Sequence, residues 1–347
     1  MEGKYRELRE RLAEVADLTA TWYMLLWDQQ TMMPRKGAAA RADQLATVRR
    51  LMHDRLTAPE VGRLLEDLRG YEERLPYDSD EASLIRVARR QYEKEVRVPG
   101  ALRADIQRAE GLALPAWSEA RRAADFRILM PHLRRHLDLV HAYVERFDDA
   151  DDPYDPLLDE YEPLMKAAEI RPVFERLKEG LIPLIARAAE ADQDDTPVHG
   201  TFPVDRQRAF ALHVLERLGF DEDAWRLDES EHPFASGSSI DDIRLTTRYD
   251  ERYLNSALFG AVHECGHGLY EHGVDPALER TLLAGGASMA LHESQSRLWE
   301  NLVGRSRPFW RHFYAPLQRA FPDQLGDIDE ERFYRAVNVV RPSLIRV

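Results

Sequence analysis

Residues Asn255–Gly273 read NSALFGAVHECGHGLYEHG and hold an H-E-x-x-H pattern at His263, Glu264 and His267. Ala257, Leu258, Ala261, Val262, Cys265 and Leu269 recur at helical spacing with no proline among them, which predicts one continuous amphipathic helix. An α-helix turns about 100° per residue, so His263 and His267 lie one turn apart on one face, where two imidazoles can converge on one ion. Glu264 stands beside that face. It can reach a water held there without being a ligand, as the general base of a zinc hydrolase must. Cys265 falls on roughly the opposite side and reads as helix packing. Taken alone, the short pattern also suits two surface histidines on a solvated helix face.

A catalytic zinc site typically takes three protein ligands and keeps one position open. The best candidate for the third is Glu293, in the run Ala287–Gly304, ASMALHESQSRLWENLVG. That run reads as a second helix, with Met289, Leu291, Leu298, Trp299, Leu302 and Val303 available as a buried stripe. The intervening loop, Gly273–Gly286, carries Val274-Asp275-Pro276 and Gly285-Gly286, breakers that let the chain reverse. The second helix is then expected to return antiparallel, with Glu293 facing the histidines.

His263-Glu264-Cys265-Gly266-His267 followed by His292-Glu293-Ser294-Gln295 resembles the carboxypeptidase Taq family of zinc-dependent metallocarboxypeptidases. His232-Pro233-Phe234 and Asp242-Ile243-Arg244-Leu245-Thr246 are similar to that family's H-P-F and D-x-R-x-T signatures, and Trp27-Asp28-Gln29 and Leu157–Pro163 to further family segments. The resemblance implies metal ligands at His263, His267 and Glu293, a base at Glu264, and substrate contacts at His232, Arg244 and His292. It implies Zn2+, or Co2+ or another divalent ion, as cofactor, and peptides as substrates that lose single residues from their carboxyl ends. The implied fold is mainly α, a large neurolysin-like helical metallopeptidase with a groove, frequently a homodimer. In the family, the segment that begins here with Ile345-Arg346-Val347 continues into an acidic stretch and a Q-D-x-H-W-type motif. The expectation is therefore one helical domain over residues 1–347, C-terminally incomplete relative to the family, with Arg346 as a candidate anchor for a substrate carboxylate. Two alternatives stay open: an oligopeptidase or endopeptidase using the same centre, and a truncated metal-binding protein without activity.

The bulk properties agree with a soluble globular chain. With 48 basic against 62 acidic side chains the net charge is −14, which disfavours nucleic acid and anionic membrane surfaces as partners. A single cysteine, Cys265, rules out an internal disulfide and fits a reducing cytosol. The charged start, MEGKYRELRERLAEV, lacks the apolar core of a signal peptide, and no stretch approaches about 18 apolar residues, so a cytoplasmic location is expected.

Elsewhere the three- and four-residue apolar step dominates. Helices are predicted on both sides of Met33-Pro34-Arg35, with Trp27 buried at a helix end, and Asp78 or Ser79 is expected to cap a later one. Leu164–Ala191, Val204–Leu218, Phe309–Phe321 and Glu330–Arg341 also read as helical, with Trp310, Phe313, Tyr314, Phe333 and Tyr334 as core or subunit contact. The period changes once. Asp242, Arg244, Thr246 and Arg248 alternate with Ile243, Leu245, Thr247 and Tyr249, the pattern of a strand with one polar face. Ser236-Gly237-Ser238-Ser239 reads as a turn before it, so a small β hairpin or sheet is predicted near the metal site. Arg244 on this strand either lines a peptide cleft or pairs with Asp242.

Overall fold

Helix-forming periodicity along most of the chain yields a mainly helical protein, and the computed structural model describes residues 1–341. Two compact units result, the first made of Met1–Leu157, Gly237–Ile240 and Gly273–Ala287. Its helices are α1 (Glu2–Thr31), α2 (Ala38–Leu56), α3 (Pro59–Asp67), α4 (Arg69–Glu72), α5 (Asp80–Glu95), α6 (Gly100–Ala123) and α7 (Met130–Val144). The break at Met33-Pro34 falls between α1 and α2, and Trp27 is buried near the end of α1. Ser79 caps α5 as expected, its Oγ accepting from the Ala82 N–H at 3.3 Å.

Leu8, Leu12 and Val15 of α1 pack with Val61, Leu64 and Leu65 of α3 and Leu84 and Ile85 of α5. The loop Gly273–Ala287 belongs to this unit. Leu282 and Leu283 pack on the same core, and Arg280 donates to both carboxylate oxygens of Asp17 on α1, at 2.8 and 2.6 Å. Between α5 and α6 lies an ion pair taken out of water, Arg103 gripping Glu95 at 2.7 and 3.0 Å with its guanidinium over the Tyr143 ring.

After α8 (Asp155–Asp159), the second unit comprises Leu158–Ser236, Asp241–His272 and the chain from Ser288 onward. Its elements are α9 (Ala167–Ala189), α10 (Val204–Leu218), β1 (Trp225–Glu229), the start of β2 (Ala235–Ser239), β3 (Asp242–Thr247), α11 (Leu254–His272), α12 (Met289–Arg297), α13 (Arg307–Ala320), α14 (Pro322–Leu325) and α15 (Glu330–Val337). Helix α9 carries Pro172 and Pro183 within it and leaves Val173, Phe174, Leu177 and Leu181 exposed. Trp310, Phe313, Tyr314 and Phe333 are buried, as their aromatic character predicts, together with Phe202 and Phe321. Among the described residues no helix is long and apolar enough to cross a membrane.

The small sheet differs in two respects from its expected form. Ser236–Ser239 is part of strand β2 and not a turn, and the order β1-β3-β2 places β1 parallel to β3, pairing Trp225 with Ile243 and Glu229 with Thr247. Thr246, assigned by alternation to the polar face, is fully buried. The reason is local hydrogen bonding: Thr246 Oγ1 accepts from the Phe234 N–H at 2.8 Å and its hydroxyl donates to the Phe234 carbonyl at 3.0 Å. The H-P-F and D-x-R-x-T segments are thereby joined through one threonine.

Replacing Glu95 by Ala leaves Arg103 buried without its carboxylate. The expected loss of stability is about 3 kcal/mol, measurable by urea denaturation, whereas an exposed pair such as Lys4–Asp67 should cost well under about 1 kcal/mol when broken.

Candidate metal centre

Helix α11 is buried nearly all the way round from Leu254 to Gly268, which makes it a core helix and not one with a solvated face. His263, Glu264 and His267 have relative exposures of 3, 3 and 9%, so the surface-histidine reading of H-E-x-x-H does not hold. Two glycines in the motif region account for the enclosure. A Cβ on Gly268 would lie 2.4 Å from the Trp225 ring and 2.9 Å from Ile243, so the sheet packs directly against the helix backbone. A Cβ on Gly266 would lie 2.7 Å from Ser296 Cα and 2.8 Å from the Gln295 carbonyl oxygen, so α12 meets α11 backbone to backbone.

That approach brings Glu293 to the histidines. Its Oε2 is 3.5 Å from His263 Nε2 and 3.2 Å from His267 Nε2, and one donor atom from each of the three residues lies within 4.8 Å of the others. The two imidazoles are 5.0 Å apart between ring centres and nearly perpendicular, at 80°. Zinc bonds of about 2.0–2.1 Å in tetrahedral array separate neighbouring donors by roughly 3.3 Å, which the two carboxylate–imidazole spacings match.

The charges are arranged to suit. Burial first, and then the neighbouring imidazoles of His292 and His263, drives His267 from its ordinary value of 6.5 down to about 4, against the opposing pull of Glu293. Its ring is therefore neutral, as a ligand must be. Burial alone would raise the Glu293 carboxyl, yet His263, Arg297 and His267 outweigh it and hold the group below the usual carboxylate range. Arg297 donates from Nε to Glu293 Oε1 at 2.9 Å. Behind the other histidine, His263 Nδ1 lies 2.8 Å from Glu300 Oε2.

The second ligand helix departs from expectation on its apolar side. Met289, Leu291, Leu298 and Leu302 are exposed, and of the expected stripe Trp299 and Val303 pack against the core. The face turned inward carries half-buried Glu293 and fully buried Ser296, where α11 lies against it at Gly266. From Leu298 to Val303 the chain continues as a π-helical turn, marked by the Gly304 N–H bonding the Trp299 carbonyl at 2.7 Å.

The candidate substrate residues fare differently from one another. His292 stacks on His267 with ring centres 4.4 Å apart, and its Nε2 lies 2.6 Å from Glu271 Oε1. Arg244 makes a two-pronged pair with Asp242 at 2.8 and 3.1 Å. His232 is exposed beside the Phe234 segment that Thr246 fastens, and Arg346 lies outside the described residues. Sequence reading passed over Glu300, Arg297 and Glu271. Glu300 was signalled by its seven-residue spacing from Glu293, which returns a side chain to the same helix face.

Two imidazoles from one helical turn, a carboxylate from the next helix and a glutamate beside them are the group types that a metal-dependent peptide hydrolase uses. The sequence model of the carboxypeptidase Taq (M32) metallopeptidases matches residues 7–347, and the chain belongs to that family of metal-dependent carboxypeptidases. It is 41% identical to thermostable carboxypeptidase 1 of Thermus thermophilus over 357 aligned residues, covering 100% of this chain and 70% of that protein. Carboxypeptidase 1 of Bacillus subtilis is 34% identical over 348 residues, covering 100% of this chain and 68% of that protein. The crystal structure of the M32 carboxypeptidase from Deinococcus radiodurans R1 superposes with a TM-score of 0.86 at 38% identity, covering 99% of this chain and 69% of that one. The chain thus spans about seven-tenths of these relatives, and the endopeptidase and silent-protein alternatives are not favoured.

Two outcomes follow from the geometry. Gly266→Ala must push α12 away from α11, so it should cost about 1–3 kcal/mol by thermal or urea denaturation and weaken metal binding with it. His267 is the second. Because its native ring titrates near 4 and its unfolded ring near 6.5, the unfolded state binds the extra proton between those values. The metal-free protein should lose stability as pH falls from about 6.5 toward about 4, and His267→Gln should flatten that part of a melting-temperature profile.

Proposed function

We propose that His263, His267 and Glu293 hold one divalent ion, zinc in the first instance and cobalt as a substitute, and that Glu264 is the general base of carboxyl-terminal peptide hydrolysis. The observation that carries this reading is the convergence of His263 Nε2 and His267 Nε2 on Glu293 Oε2 at 3.5 and 3.2 Å, with Glu264 buried on the same helical turn. When bound, the ion supplies Lewis acidity toward a peptide carbonyl and lowers the pKa of water toward about 7.

The chain's own residues do the rest. Glu264 takes a proton from the attacking water and passes it to the departing amine nitrogen, one carboxyl serving in both directions. Its burial, at 3% exposure, keeps bulk water from competing for that proton. Helix α11 carries base and histidines together, so a single rigid element fixes their separation. His292, stacked on His267, is the candidate donor to the developing oxyanion. Arg244 and His232 are assigned to the peptide itself because they stand in the two signature segments that Thr246 ties together. Arg346 is assigned to the substrate carboxylate, since a guanidinium meets a carboxylate with two parallel hydrogen bonds. Residues 1–347 act in this reading as one catalytic domain, with free-ended peptides as substrates.

Glu264→Gln should retain one equivalent of metal while hydrolysis falls by about 100- to 10,000-fold. His263→Ala and Glu293→Ala should instead lose metal, measured by elemental analysis after gel filtration. Peptides with free and with blocked carboxyl ends separate the modes of cleavage. Release of single amino acids only from free-ended peptides supports the reading, and equal cleavage of blocked peptides overturns it.

A further inference from the structure

We propose that Glu300 is a positioning residue of the centre, fixing the proton and the orientation of His263 from behind. The inference rests on the metal-binding reading above and adds to it a residue outside both signature motifs. Glu300 Oε2 lies 2.8 Å from His263 Nδ1, and the two side chains are 12 and 4% exposed. An ionised carboxylate only accepts hydrogen bonds, so Nδ1 must carry the ring proton. The lone pair is then on Nε2, the atom that faces Glu293 Oε2 at 3.5 Å.

Glu300 is itself held from two sides. Arg297 Nη1 donates to its Oε2 at 3.3 Å while Nε of the same guanidinium holds Glu293 at 2.9 Å, so one arginine spans the ligand carboxylate and the carboxylate behind the histidine. Arg305 approaches Oε1 at 3.6 Å, lies over the Phe259 ring at 3.9 Å and donates to the Val337 carbonyl. The carboxylate sits within the π-helical turn Leu298–Val303, an irregularity that recurs at functional positions. His267 is treated differently. Its Nδ1 is buried without a hydrogen-bond partner, and the ring is steadied by stacking on His292. Of the two imidazoles, only His263 has a carboxylate on its Nδ1.

The test compares wild-type protein with Glu300→Ala, Glu300→Gln and Glu300→Asp by zinc competition against a chromogenic chelator, with the visible absorption spectrum of the cobalt-loaded protein as a second readout. Removing the partner behind a ligating histidine should weaken zinc binding by about 10- to 100-fold and shift the cobalt bands. Glu300→Gln keeps an acceptor at the same reach and should lose less than Glu300→Ala. If Glu300→Ala fails to fold, the Gln and Asp variants carry the comparison. Zinc affinity within twofold of wild type and an unchanged cobalt spectrum in the folded variants would overturn the proposal. So would a lowered melting temperature of the metal-free protein with wild-type zinc affinity, because that pattern marks a purely structural residue. His263→Ala and Glu293→Ala separate this inference from the one beneath it. If they too keep zinc, the metal-centre reading itself fails; if they lose it while Glu300→Ala does not, only the role of Glu300 falls.

Discussion

The centre depends on a contact that contains no side chain. Helices α11 and α12 meet where Gly266 leaves room for the backbone of Gln295 and Ser296, and that distance decides whether a carboxylate on one helix can share an ion with two imidazoles on the other. A methyl group there would displace the helix and not merely a flexible side chain, since the atoms it meets are main-chain atoms. On the opposite side Gly268 lets the Trp225 ring and Ile243 come down on the same helix. Clamped between sheet and helix, α11 has almost no exposed surface before its last turn. Rigidity at the ligands follows from this packing, because helical backbone held on both sides does not relax toward solvent.

Enclosure creates an electrostatic problem that the neighbouring residues answer. Glu264 lies on the histidines' own helix and two further carboxylates, Glu293 and Glu300, reach them from α12 and the turn after it, in a chain that already carries an excess of acidic groups. Arg297 and Arg305 sit among the latter two and keep both ionised although burial works against them. Burial also pulls the Arg305 guanidinium below its ordinary value, so this cation gives up part of its own preference for charge. The result is a local balance of charge unrelated to the surface average of the chain. Bulk acidity bears on partners in solution, while ligand pairing is decided within a few ångströms.

Much of this was legible in sequence. Helix α11 was, because H-E-x-x-H on an unbroken apolar period has few structural solutions, and Glu293 was, because a reversing loop separates it from the histidines. The aromatic residues of α13 and α15 read as core or subunit contact, and Trp310, Phe313, Tyr314 and Phe333 are core while Tyr334 is half-buried against it. Other features escaped for physical reasons. The exposed apolar face of α12 escaped because periodicity reports which residues share a face and not which face meets a neighbour; that choice was made by Gly266, a residue without a hydrophobic signal. Thr246 was misassigned because alternation counts a hydroxyl as polar, whereas a threonine satisfied by main-chain groups is at home in a core. Strand β2 was hidden by its composition, since Ser-Gly-Ser-Ser carries turn propensity and only pairing beside β3 makes it extended.

Cys265 sits within the ligand motif yet on the far side of the helix, fully buried, with its thiol pushed up to about 12 by the loss of solvent. A thiol so reluctant to ionise is neither a nucleophile nor a soft donor at neutral pH. The sole sulfhydryl of the chain is thereby withheld from oxidants, alkylating reagents and thiophilic ions alike. Helix α11 thus carries an inert thiol among the same few residues that hold the candidate donor atoms.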